Sequence, residues 1–196
     1  MRNQVALVIS AFALVFCCAS ADAGVIIDVT QVGGNVVFST NGSLNLTGAT
    51  SAGADGSYGL GFIPGGSNWY IASGSGTAVD SYALSSFAGA FGTSTSYFSS
   101  PSSSSGDNFF IWGDSGALAQ VGVPAGYVSG SSINSGMVFN GATIVGFTMI
   151  PGTYLYTLPN DAITLNIGAA AVPEPGTLSL IGLGLAGFAA IVRRKR

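Results

Sequence analysis

Apolar and polar residues alternate most cleanly over residues 153–158 and 162–167, with Ile163, Leu165 and Ile167 on one face. Pro159, Asn160 and Asp161 stand between the two runs, so the pattern predicts a β-hairpin. Leu44 and Leu46 alternate with Ser43, Asn45 and Thr47 in the same period of two. Residues 25–27, 35–40, 68–71, 117–123, 127–129 and 137–139 read as further short strands. Phe109, Phe110, Ile111 and Trp112 form an unbroken apolar run, which suits a strand buried on both faces. Asn41-Gly42 reads as a two-residue hairpin turn. Residues 48–61 read mostly as loop, and residues 82–91 suit either a strand or one short helix. Residues 93–106, with Ser102 to Ser105 in a row, read as an exposed flexible loop.

Many short strands separated by glycine and proline signals predict an all-β fold, an antiparallel β-sandwich, with a jelly-roll-like or open-barrel arrangement as alternatives. Thirty glycines in 196 residues fit a turn-dense β fold better than a helical one.

Two stretches break the alternation. Residues 5–19 are apolar behind Arg2, and Ala21-Asp22-Ala23 gives a small-x-small cleavage site before Gly24, with Ala19-Ser20-Ala21 as the competing site. Residues 1–23 are therefore expected to be a signal peptide with a signal helix, removed on export through the Sec machinery. Phe16 before Cys17 argues against a lipoprotein. Both cysteines, Cys17 and Cys18, leave with this segment.

The second stretch is residues 177–192, 16 residues without a charge, closed by Arg193, Arg194, Lys195 and Arg196. As a helix it would rise about 24 Å, which the basic residues can extend to a full span by snorkelling. It is expected to be a transmembrane helix with a cytoplasmic C-terminus, by the positive-inside rule. Gly182, Gly184 and Gly187 match a dinucleotide-binding fingerprint, but no βαβ unit surrounds them, and they read as small residues of a membrane helix.

Charge then narrows the function. Between Arg2 and Arg193 there is no Lys, Arg or His, and residues 24–171 carry only Asp28, Asp55, Asp80, Asp107, Asp114 and Asp161 as charged groups. A body without cations lacks the phosphate contacts on which nucleic-acid affinity rests, so no nucleic-acid partner is expected. An enzyme is not expected either. Serines are plentiful, but no His or Lys is present to activate one, and Gly113-Asp114-Ser115-Gly116 reads as a turn. Asp107 and Asp114 flank a strand and would stand about 20 Å apart, too far for a glycosidase pair. Calcium is the metal that oxygen ligands alone would suit, yet no calcium-loop spacing occurs; no metal and no cofactor are expected. Trp69, Tyr70 and Trp112, with Phe110, are candidate sugar-stacking residues, set against the commoner core role of aromatic side chains.

Val172-Pro173-Glu174-Pro175, the short Gly/Leu-rich span and the basic cluster follow one another in order. This arrangement resembles the bacterial PEP-CTERM sorting signal, covering residues 172–196; the same region has also been labelled after ice-binding proteins. The resemblance implies a Gram-negative exporter of extracellular polysaccharide. It also implies recognition by an exosortase, a membrane transpeptidase-like cysteine enzyme, with cleavage in or near the motif. The resulting expectation has three parts: leader 1–23, secreted β domain 24–171 and sorting signal 172–196. The chain would be a non-enzymatic cell-surface or exopolysaccharide-matrix protein, held by one C-terminal span in the inner membrane and then processed. The alternatives are a carbohydrate-binding or adhesion module and, more remotely, a hydrolase using aspartates alone.

Overall fold

The computed structural model describes residues 24–56, 58–114 and 118–168. The expected signal helix, transmembrane helix, sorting motif and basic tail lie outside them. Among the described residues fourteen strands occur in chain order, beginning with β1 Val25–Val32, β2 Asn35–Ser43, β3 Ser51–Asp55, β4 Gly61–Ile63, β5 Asn68–Ser73, β6 Val79–Ala83 and β7 Ser86–Phe87. The rest are β8 Phe98–Ser99, β9 Ser103–Gly106, β10 Phe109–Asp114, β11 Ala119–Pro124, β12 Ser132–Asn140, β13 Gly152–Leu158 and β14 Asp161–Ile167. Among the described residues there is no helix, and the fold is all-β.

The strands form two seven-stranded sheets, ordered β7-β13-β14-β1-β2-β12-β9 and β3-β6-β11-β10-β5-β4-β8. All pairings between strands are antiparallel except one: β1 runs parallel to β14, with Val25 opposite Ile163 and Val29 opposite Ile167. That single parallel pair departs from the purely antiparallel expectation. It places the start of β1 and the end of β14 at opposite poles of the first sheet.

Alternation explains the core. Val25, Ile27 and Val29 of β1 and Ile163, Leu165 and Ile167 of β14 turn one face inward and are buried. They join Phe38, Phe62, Trp69, Ile111, Val121 and Tyr156 from both sheets in one continuous core. The sheets cross rather than align. Trp69 and Ser73 lie on the same short strand, β5. Trp69 packs on Tyr156 of β13, ring centroids 4.9 Å apart, and Ser73 Oγ lies 2.7 Å from Ser135 Oγ of β12. Since β14, β1 and β2 separate β13 from β12, β5 must run across the first sheet, as in orthogonal sheet packing.

Several local expectations need correcting. Asn41-Gly42 does not turn the chain; both residues lie within β2, opposite Ile26 and Val25. The glycine is needed for a close approach instead: Gly42 has φ +136°, and a Cβ there would lie 2.1 Å from the Gly24 carbonyl oxygen. The β1–β2 turn is Gly33-Gly34, with Gly33 at φ +58°. Residues 82–91 hold no helix, because the chain changes sheets there, leaving β6 for the short β7 that pairs with β13. Residues 48–61 include the edge strand β3. The Ser-rich run is also an edge strand: β9 pairs with β12, Ser104 opposite Met137. Ser104 Oγ fixes it by accepting from the Gly74 amide at 3.1 Å and donating to the Gly74 carbonyl at 2.9 Å.

Candidate functional site

The six aspartates are scattered through the sequence, and the five whose side chains are described do not gather into one cluster. Each binds a polar group in its own neighbourhood. Asp161 accepts from the amides of Asn45 at 2.6 Å and Ala162 at 2.7 Å. Asp107 accepts from the Asn134 amide at 2.8 Å, Asp80 from the Gly126 amide at 2.7 Å, and Asp114 from the Leu118 amide at 3.0 Å. Asp28 accepts from Asn166 Nδ2 at 3.0 Å on the outer face of the first sheet. A carboxylate holding a backbone N–H in this way fixes a loop whose amide would otherwise lack a protein partner. Among the described residues no three carboxylates, cysteines or histidines gather into a metal-binding group.

The three candidate sugar contacts separate. Trp69 is 2 % exposed, packed at a tilt against Tyr156 and Phe87 in the core, so it cannot meet a sugar. The reason is register: Trp69 and Ile71 face inward on β5, and Tyr70 between them faces out. Tyr70 stands directly opposite Trp112 on β10, and Trp112 stands opposite Gln120 on β11, so the three form one row on the outer face of the second sheet. Tyr70 and Trp112 are half-buried. Phe110, two residues before Trp112, shares that face and is buried with Ala72 and Val79 in a second, smaller apolar cluster. Its ring lies over Gly122, where a Cβ would come within 2.3 Å of it.

Tyr58 closes this cluster. It packs edge-on to Phe110 at 5.4 Å and donates its hydroxyl to the Ser73 carbonyl at 2.9 Å. Burial pushes its phenol well above the usual tyrosine range. Tyr70 donates to the Gly59 carbonyl at 2.6 Å and Tyr97 to the Leu60 carbonyl at 3.0 Å, their rings 6.0 Å apart. Burial also raises the Tyr97 phenol. Beyond Tyr97 opens a groove of about 450 Å³, lined by Gly59, Leu60, Tyr97, Ser100, Pro101 and Ser104. Ser100 sits at φ +60°, a conformation that serine rarely adopts. Nothing in the sequence marks Tyr58, Tyr97 or Ser100 as site residues. Tyr58 lies in a glycine-rich stretch and the other two in a serine-rich one, where no periodicity marks a face.

A second groove, about 460 Å³, lies where β1 begins and is lined by Gly24, Val25, Ile26, Asn160, Asp161, Ala162 and Thr164. Gly24, the expected first residue after leader removal, is therefore folded against the β13–β14 turn, and Ala21 and Ala23 lie outside the described residues. Among the described residues no helix is long and apolar enough to cross a membrane.

Beyond the β domain, residues 171–196 match the family model of the PEP-CTERM protein-sorting motif. The chain carries a PEP-CTERM sorting motif. The match takes in Val172, Pro173, Glu174 and Pro175 and the basic residues Arg193, Arg194, Lys195 and Arg196. It marks the chain as an exported protein, membrane-anchored and then processed, with an exosortase as the processing partner. No curated protein and no solved structure matches the chain.

Proposed function

We propose that this PEP-CTERM protein is a non-enzymatic component of the cell surface or exopolysaccharide matrix. The leader 1–23 exports it through the Sec machinery. A single span at residues 177–192 holds it in the inner membrane with Arg193 to Arg196 in the cytoplasm. An exosortase then cuts in or near residues 172–175. The observation that carries this reading is the sorting motif joined to a β domain whose described carboxylates each bind a polar group of their own surroundings. The test is fractionation of the tagged protein in an exosortase-bearing host and in a strain lacking that enzyme. Membrane retention in the deletion strain and release in the parent are expected; identical anchoring in both refutes the processing step.

The outward row of Tyr70, Trp112 and Gln120 favours a second reading, in which the domain binds a glycan within that matrix. A body with no cation and no carboxylate in this row suits an uncharged polysaccharide, with sugar faces on the aromatic rings and hydroxyls toward Gln120 and the Tyr97 groove. Trp69 is sealed in the core, so tryptophan fluorescence that responds to a neutral oligosaccharide would report Trp112. The response should vanish in Trp112→Ala. An unchanged response in that variant removes this reading.

A further inference from the structure

The described carboxylates are placed unevenly between the two poles of the domain. At the pole where β1 begins, Asp161 holds Asn45, beyond the end of β2. Asp107 holds Asn134, which is level with Asn41 and Ile26. Asp80 holds Gly126, next to Tyr127, whose hydroxyl accepts from the Leu44 amide. Asp114 pairs with Asn68 beside Trp69, and Trp69 lies under Tyr156, which is level with Ile163 and Val25. Asp28 sits midway along β1. No described carboxylate reaches the opposite pole.

That opposite pole is where the described chain leaves the domain. The Gly168 amide donates to the Val29 carbonyl at 2.9 Å, and a Cβ on Gly168 would touch the Pro151 ring. Around this exit stand Val32, 57 % exposed, Val145, 83 % exposed, and Ile150, 49 % exposed. Gln31 fixes the segment that presents Val145. Its Nε2 donates to the Ala142 carbonyl at 2.9 Å, and its Oε1 accepts from the Ile144 amide at 3.0 Å.

Only residues 169–176 separate Gly168 from the predicted span. At about 3.1 Å per residue of extended chain, eight residues reach about 25 Å. A domain of this size is about 38 Å across, so the tether is shorter than the body is wide. We infer that the Val32–Val145–Ile150 pole rests on the headgroup region of the bilayer until the tail is cut. This inference rests on the membrane-anchored reading above. An anionic lipid surface repels carboxylates, and no described carboxylate lies at this pole; three exposed aliphatic side chains suit the apolar edge of the interface.

The test uses the chain with its tail intact, reconstituted into phosphatidylethanolamine–phosphatidylglycerol vesicles containing headgroup-spin-labelled lipid. Cys17 and Cys18 lie in the leader, so Val145→Cys and, at the opposite pole, Val128→Cys each give a single labelling site for a fluorophore. Val128 is 70 % exposed, which makes the two sites comparable in solution. Quenching at residue 145 should exceed that at residue 128 by roughly two-fold or more, as expected for contact with the headgroup region. Adding Val32→Asp and Ile150→Asp should bring residue 145 down to the level of residue 128. A chain that floats with the vesicles yet shows equal quenching at both sites overturns the inference and leaves the anchor intact. A chain that does not float overturns the anchored reading, and the inference falls with it.

Discussion

The Asp161 carboxylate binds the backbone amide of Asn45 at 2.6 Å, joining the β13–β14 turn to the chain leaving β2. Its other oxygen accepts from the Ala162 amide at 2.7 Å. One side chain thus satisfies two backbone donors from segments far apart in sequence. Hydrogen bonds to a charged acceptor contribute about 1.5–3 kcal/mol each, less where water competes, as it does at this surface. Asp161→Ala is therefore expected to cost about 1–2 kcal/mol and to lower Tm by roughly 3–6 °C. Asp161→Asn keeps an acceptor and should lose less. Thermal unfolding followed by circular dichroism decides it, and equal Tm values for wild type and Asp161→Ala would show that the contact is idle.

Trp69 carries an unusual feature for a core residue: its Nε1 is buried without a hydrogen-bond partner. Gly113, its neighbour across the β5–β10 pair, makes room for the indole, since a Cβ there would lie 2.2 Å from the ring. Trp69→Ala should cost about 3–5 kcal/mol through the cavity it leaves. Trp69→Phe should cost less than about 1.5 kcal/mol, because the lost ring volume is offset by removal of the unpaired donor. Gly113→Ala should cost about 1–3 kcal/mol in the wild type by overpacking. In Trp69→Phe its cost should shrink, with a coupling of at least about 0.5 kcal/mol between the sites. Strict additivity in urea unfolding would refute the steric account.

How far these contacts could be read in advance depends on which scale of structure encodes them. The β14 face of Ile163, Leu165 and Ile167 is visible because polar residues alternate with it. Phe109 to Trp112 offers no such contrast. Alternation puts Phe110 with Trp112, yet both faces are apolar, so nothing local says that Phe109 and Ile111 face the core and Trp112 faces out. Trp69 and Tyr70 pose the same choice, and it was settled by the sheet's position. Gly42 shows tertiary structure overriding a turn signal: its glycine serves the close approach of Gly24. The Ser-rich strand was illegible because β12, over thirty residues later, supplies its hydrogen bonds. The sorting motif was legible because its recognition depends on a short contiguous run.

Ser104 gives a direct test of that edge strand. Its hydroxyl bridges to Gly74 across the two sheets and lies 3.3 Å from the Gly136 carbonyl. Amide hydrogen exchange over β9 should show protection, where a free serine loop would exchange at once. Ser104→Ala leaves the Gly74 groups without this partner and is expected to cost about 1–2 kcal/mol. It should also raise exchange in β9 before the rest of the sheet. Unprotected amides across residues 103–106 in the wild type would contradict the strand.

Alkaline pH should unfold the domain through its tyrosines. Residues 24–171 contain no Lys, Arg, His or Cys, so phenols are the side chains that titrate on the basic side. Tyr156 is fully buried and donates to the Gly89 carbonyl at 3.2 Å. Burial first, and then the neighbouring Tyr154, pushes its phenol well above the ordinary 10.0; burial does the same to Tyr58. Above pH about 10 the unfolded chain releases these protons while the folded domain keeps them. The folded state then binds more protons, so stability falls as pH rises. The contribution is fully present below about pH 10 and is lost above it as pH climbs toward the raised folded-state values. Urea midpoints should hold steady from about pH 7 to 9 and drop beyond about pH 10. Tyr156→Phe removes the titrating hydroxyl together with its hydrogen bond. It should lower stability by about 1 kcal/mol at neutral pH and flatten the alkaline limb. A wild-type midpoint unchanged well above pH 10, or an equally steep fall in Tyr156→Phe and Tyr58→Phe combined, would show that these buried phenols do not govern alkaline stability.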